Sequence, residues 1–293
     1  MNKYGLPRKI SDPIKRRVRQ KSGFGCVFCG TWIYQYEHFN PEYKDAKTHD
    51  PKGICLLCGT DHQKVTSGRI SKTQVADQYQ NPVALSKGYA NDYLTLRPKF
   101  FVAMGRIFFT QTGKLLSVDG IDLLSIAQPT ASEPMKLNAK FFDDNGTLIL
   151  EIKDNEMLGY TTNWDIEQKG TRTIFRRKKG EIVLQINILP PDVIEIERIN
   201  MSYGSSRIYT DSNNGRIYIQ AKNGGVVDLF KGQIVTEGLS IGETGVSFDK
   251  AMIIGVQEGF EFGKMDYRAF IDSGRLQSEP HAKRKSGNRK SSK

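Results

Sequence analysis

The feature that most constrains this chain is a five-residue element that occurs twice. Cys26-Val27-Phe28-Cys29-Gly30 returns as Cys55-Leu56-Leu57-Cys58-Gly59. The two copies hold all four cysteines of a 293-residue chain, and three of its four histidines, His38, His49 and His62, lie between or just after them. Two thiolates three residues apart on a tight turn, with glycine relieving the backbone behind them, can fill two corners of a tetrahedron, and a second pair fills the rest. A small unit folded around zinc is therefore expected, with Cys26, Cys29, Cys55 and Cys58 as ligands and no position left for substrate. Disulfides are disfavoured, because the opening MNKYGLPRKI lacks the apolar stretch of a secretory signal and the chain is expected to stay in the reducing cytoplasm. No apolar run approaches the roughly 18 residues of a membrane span, so a membrane is not an expected partner.

Charge is as unevenly placed as the thiols. The net charge is +11. Residues 1–25 hold eight Lys or Arg against Asp12, a net of +7, and residues 275–293 hold seven against Glu279, a net of +6, so the stretch between them sums to −2. Cationic ends on a near-neutral body are the footprint expected of a protein that binds a polyanion. Ser11-Asp12-Pro13 has the composition of a helix start, a capping side chain followed by Pro at the first helical position. Ile14 and Val18 would share one face of that helix, leaving Lys15, Arg16, Arg17 and Arg19 on the others.

Beyond the cysteines, Ser71-Lys72-Thr73-Gln74 has the spacing of a capping box and predicts a second helix, which Asn81-Pro82 should end. From about residue 100 the texture changes to short β-branched runs. Residues 147–152, 181–188, 193–199, 216–219 and 226–229 are the clearest strand candidates, separated by turn formers such as Asn145-Gly146, Lys179-Gly180 and Asn213-Asn214-Gly215. The spacing suits a sandwich or a short β-solenoid. The expected organisation is thus α+β: residues 1–95 as a metal-containing domain with a basic N-terminal helix, 96–277 as an all-β domain, and 278–293, rich in Lys, Arg, Ser and Gly, as a disordered basic tail.

Four segments, CVFCG, YEHF, HDPKGICLLC and GTDHQKV, stand in an order and spacing that resembles the HNH endonuclease family, over Ser22 to about Gly68. The basic lead-in LPRKISDPIKRRVRQKSGFG is similar to that of such proteins too. The resemblance implies a zinc-stabilised, treble-clef-like ββα-metal domain. It also implies hydrolysis of DNA phosphodiester bonds, with His38 as general base and Glu37 and His62 as ligands of a catalytic Mg²⁺ or Mn²⁺. Lys15, Arg16, Arg17, Arg19, Lys21 and Lys64 are the expected DNA contacts, and restriction or phage defence is the expected setting. In two places the chain departs from the family pattern. The Asn that orients the base falls on Gly53, which has no side chain, so Asp50, His49 or a backbone carbonyl near Gly53 would have to take that role. Asp61 stands where the family has its fourth zinc thiolate. The ligand set is then either the four cysteines or Cys26, Cys29, Cys58 and Asp61, and zinc's preference for thiolate favours the first. A zinc-finger protein that binds DNA without cutting it is the competing expectation.

The stretch from Phe100 to Tyr267 contains no His and no Cys. It reads as a module that recognises the target, a signal or another protomer. Tyr160, Trp164, Tyr203, Tyr209 and Tyr218 are expected as core or cross-strand aromatics, and Asp143 and Asp144 as turn residues.

Overall fold

The computed structural model describes residues 1–98, 100–109, 113–229, 233–236, 238–243, 245–249 and 252–254. Helix α1 (Asp12–Lys21) begins where the sequence places it, with Ser11 extended at the N-cap and Pro13 in the first turn, although the Ser11 side chain makes no capping bond. Strands β1 (Gln35–His38) and β2 (Ile54–Leu57) pair antiparallel, and the 3₁₀ turn Pro51–Gly53 leads into the second. Helix α2 (Gly59–Thr66) follows directly. Helix α3 (Lys72–Gln80) carries the capping box, Ser71 and Gln74 each bonding the other's backbone, and Asn81 ends it. The short α4 (Val83–Lys87) stops at Gly88, whose φ of 83° only glycine adopts without strain.

All four residues of β2 are buried because its two faces serve two cores. Ile54 and Leu56 pack with Ile10 and Val18. Cys55 and Leu57 pack with Cys26, Val27, Phe39, Val65 and Val75 on the other side. That is the period of two of an extended strand.

The chain then runs through β3 (Tyr89–Tyr93), β4 (Phe101–Met104), β5 (Ile107–Phe109), β6 (Gly113–Val118), β7 (Ile121–Ala127), β8 (Lys136–Phe142), β9 (Leu148–Lys153) and β10 (Glu156–Tyr160). Next come β11 (Asp165–Lys169), β12 (Arg172–Lys178), β13 (Glu181–Leu189), β14 (Val193–Tyr203), β15 (Ser206–Thr210), β16 (Ile217–Gln220) and β17 (Val226–Asp228). The last described strands are β18 (Gln233–Thr236), β19 (Gly238–Gly242), β20 (Gly245–Asp249) and β21 (Met252–Ile254). One sheet has the order β20-β19-β6-β7-β8-β9-β10-β3, and the other β11-β12-β13-β14-β4-β5-β18-β21, with β15, β16 and β17 extending from β14. A single apolar core draws on both, Leu116, Leu124 and Leu150 from the first and Phe109, Phe175, Leu184 and Ile194 from the second. Most strand pairs are antiparallel, β14–β4, β18–β5 and β19–β6 are parallel, and the molecule is mixed α+β with β dominant. Tyr209 and Tyr218 stand opposite one another and stack, 5.6 Å between ring centroids, as a cross-strand pair. Asp143 accepts from Asn145 N and Thr147 N and so forms the expected turn.

The domain boundary expected at residue 95 is where the structure differs most from the sequence reading. β3 already pairs with β10 in the first sheet. Trp32, 1% exposed, stands edge-on to Phe175 and close against Gly159, where a Cβ would come within 2.6 Å of its ring. Burying such a ring contributes of the order of 3 kcal/mol, and here the ring belongs to one part of the chain and its pocket to the other. Met1–Val256 form one compact unit, and Gln257–Lys293, which include the expected tail, lie outside the described residues. Among the described residues no helix is long and apolar enough to cross a membrane.

Candidate functional site

The first cysteine pair sits on a tight knuckle. Gly30 takes φ of 81°, and a Cβ on Gly25 would lie 2.3 Å from Gly30 O, so the backbone closes only with glycine at Gly25. Gly30 N donates to Cys26 O at 2.8 Å, and Val27 N donates to Leu56 O at 3.0 Å, which fastens the knuckle to β2. Cys58 is the N-cap of α2, its Sγ accepting from Asp61 N at 3.4 Å. The ligand atoms of Cys26, Cys29, Cys58 and Asp61 all lie within 4.8 Å of one another and could hold a metal such as zinc. A tetrahedron with Zn–S bonds near 2.3 Å has edges of about 3.8 Å, so small movements would close the set on an ion. Cys26 Sγ and Cys58 Sγ both lean on Asp61 Oδ2, at 3.4 and 3.3 Å. The hydrogen bond from Cys26 draws the Cys29 thiol down to about 6, whereas the same bond and burial push Cys26 up. Lys64 Nζ, 2.8 Å from Asp61 Oδ1, helps hold Asp61 below the carboxylate range against its own burial.

Cys55, expected as the fourth thiolate, stands outside this group. The reason is backbone geometry: Cys26 to Cys29 is a turn, but Cys55 to Cys58 runs along β2, where three residues span about 10 Å. Cys55 faces the apolar core opposite Glu37, and burial raises its thiol to about 12. Asp61 takes the place the sequence offered as the alternative.

The second cluster gathers at the end of β1, beside α2. Glu37 and His38 end β1, and His62 lies in the first turn of α2. His62 Nε2 is 2.9 Å from Glu37 Oε2, and Lys72 Nζ contacts the other carboxylate oxygen and lies 3.3 Å from His38 O. His38 Nε2 meets His49 Nδ1 at 3.0 Å, and His49 Nε2 meets Pro7 O at 2.9 Å. Burial first, then the charges of His49 and Lys72, hold His38 below the usual imidazole value, against the opposing pull of Glu37. Asp50, an alternative partner for His38, instead caps the 3₁₀ turn by accepting from Lys52 N at 2.9 Å. Gly53 carries no side chain because none fits, a Cβ there falling 1.8 Å from Asn40 O, and its carbonyl is taken by Phe39 N and Asn40 N. Glu37, His38 and His62 open into one cleft of about 380 Å³, whose rim adds Arg8, Lys9, Lys15 and Tyr43.

Of the expected DNA contacts, Arg17 and Lys21 are exposed on α1, and Lys64 is half-exposed beside Asp61. Lys15 lies over the Tyr36 ring and Arg16 over the Trp164 ring, at 5.7 and 4.5 Å. Arg19 is a correction. It is 3% exposed, its Nε and Nη2 donate to both oxygens of Asp165 at 2.7 and 2.6 Å, and its Nη1 donates to Tyr36 OH at 2.9 Å. It therefore joins α1 to β11 and faces no solvent. Lys72 is not legible as a site residue, because the sequence marks it only as the first position of a helix. Its contact with Glu37 depends on how α3 packs across the hairpin.

No family model, curated protein or solved structure matches this chain.

Proposed function

We propose that this protein is a DNA endonuclease of the HNH type, in which a structural zinc at Cys26, Cys29, Cys58 and Asp61 builds the frame and Glu37, His38 and His62 carry the reaction. What supports the reading above all is that these three side chains open into one cleft rimmed by Arg8, Lys9 and Lys15. Phosphodiester hydrolysis needs an acceptor for the proton of the attacking water and cations facing the phosphate. His38 is that acceptor. Arg8, Lys9 and Lys15 draw the DNA backbone to the cleft and orient the scissile phosphate, and Arg17 and Lys21 extend the cationic track along α1.

One carboxylate and one imidazole fit a Mg²⁺ or Mn²⁺ ion that keeps other positions for water and phosphate, and such an ion would neutralise charge on the phosphate and leaving oxygen. Glu37 Oε1 is free to bind it only when the Lys72 ammonium moves aside. His62 is held ready by its place next to Asp61 in the first turn of α2.

The test is nicking of supercoiled plasmid by the full chain, with zinc retained. Nicking should begin only when Mn²⁺ or Mg²⁺ is added, and Glu37→Ala or His62→Ala should lower it at least about 100-fold without loss of zinc. A chain that binds DNA, keeps its zinc and never nicks would instead be a zinc-dependent DNA-binding protein.

A further inference from the structure

From the chain His38, His49 and Pro7 we infer that His49 is a positioning residue that fixes which nitrogen of His38 is the base, and that the N-terminal arm fixes His49. The inference rests on the nuclease reading only for its consequence in the reaction. The contacts themselves leave little freedom. Pro7 O can only accept, so the 2.9 Å bond places a proton on His49 Nε2. In neutral His49 the other nitrogen, Nδ1, then carries a lone pair and accepts. His38 Nε2, 3.0 Å away, must therefore donate to it. A neutral imidazole has one proton, so Nδ1 of His38 is left as its basic atom. Among the described residues nothing hydrogen-bonds to that nitrogen.

The arm is laced to the loop that carries His49. Asn2 Nδ2 donates to Tyr43 O and Ala46 O at 2.6 Å each, and Tyr43 OH donates back to Leu6 O at 2.8 Å. The Tyr43 ring stands edge-on to His38, 5.5 Å between centroids, so the loop walls the base on one side while His49 bonds it on another. Orientation of a catalytic His through its second nitrogen is a general device. Here the orienting group is a second imidazole, reached from a segment more than forty residues away in sequence, and it stands in for a side chain that Gly53 has no room to carry.

The experiment reads the tautomers directly by long-range ¹H–¹⁵N correlation in the full-length, zinc-loaded chain at pH 8. The parent should show His38 and His49 both as Nε2–H tautomers. His49→Ala should leave His38 as a mixture of tautomers. His49→Asn, whose Oδ1 falls near the position of Nδ1 and can accept, should restore the Nε2–H form. In plasmid nicking, His49→Ala should lose about 10- to 100-fold in kcat with KM and zinc unchanged, and His49→Asn should recover most of it. His38 found as the Nδ1–H tautomer in the parent overturns the inference, and so does a His38 tautomer that His49→Ala leaves unchanged. The parent spectrum decides even if a variant does not fold. If the tautomers are as stated and no DNA is cut, the relay stands and the nuclease reading falls.

Discussion

At the scale of single residues, the cysteines show how one motif acquires two meanings. Both cysteine pairs read CxxCG, yet Cys26 and Cys29 lie on a glycine-closed turn and Cys55 lies mid-strand. The clue was in the sequence. Ile54-Cys55-Leu56-Leu57 is a continuous apolar run entered from the turn formers Pro51-Lys52-Gly53, which describes a strand buried on both faces better than a knuckle. Cys58→Ser and Asp61→Ala should each abolish stoichiometric zinc in elemental analysis. Cys55→Ser should keep one zinc per chain and lose only about 1–3 kcal/mol of stability, the cost of a hydroxyl in an apolar core. Arg19 was not legible in the same way. Nothing near it separates it from Arg16 or Arg17, because its partner Asp165 is 146 residues away.

Among elements, α2 ties the two clusters together. Its N-cap Cys58 and first-turn Asp61 belong to the metal group, while His62, one residue on, reaches Glu37. Eight residues are too few to hold a helix by propensity; the packing of Val65 contributes, and on the proposed reading a zinc at Cys58 and Asp61 would supply the rest. Removing zinc should therefore release α2. Hydrogen exchange should accelerate across 59–66, and nicking should stop even with Mn²⁺ present, both recovering when zinc is returned. The helix starts were readable because capping chemistry is local, as the Ser71 and Gln74 box in α3 shows. The packing that brings Lys72 onto Glu37 was not, since it depends on how α3 crosses β1.

For the whole molecule, the sequence divides where the structure joins. A change of texture near residue 100 suggested two independent domains, but apolar patterning reports what each segment buries and not what it is buried against. Trp32 inside the β core, β3 in the first sheet and the Arg19–Asp165 bridge bind the cysteine-bearing part to the two large sheets. Asp165→Ala would strand a buried guanidinium and should cost about 3–5 kcal/mol, seen as one cooperative transition shifted to lower temperature. Replacing both partners with apolar residues of similar volume should restore much of that loss. Such a frame holds a carboxylate, two imidazoles and a basic rim at one cleft, and the central claim is that His38 there takes a proton from the water that cuts DNA. The most direct measurement compares plasmid nicking by the parent and His38→Ala at equal zinc content and equal DNA affinity. A loss of at least about 100-fold in the variant is the predicted result, and a variant that nicks at the parent rate would contradict the account.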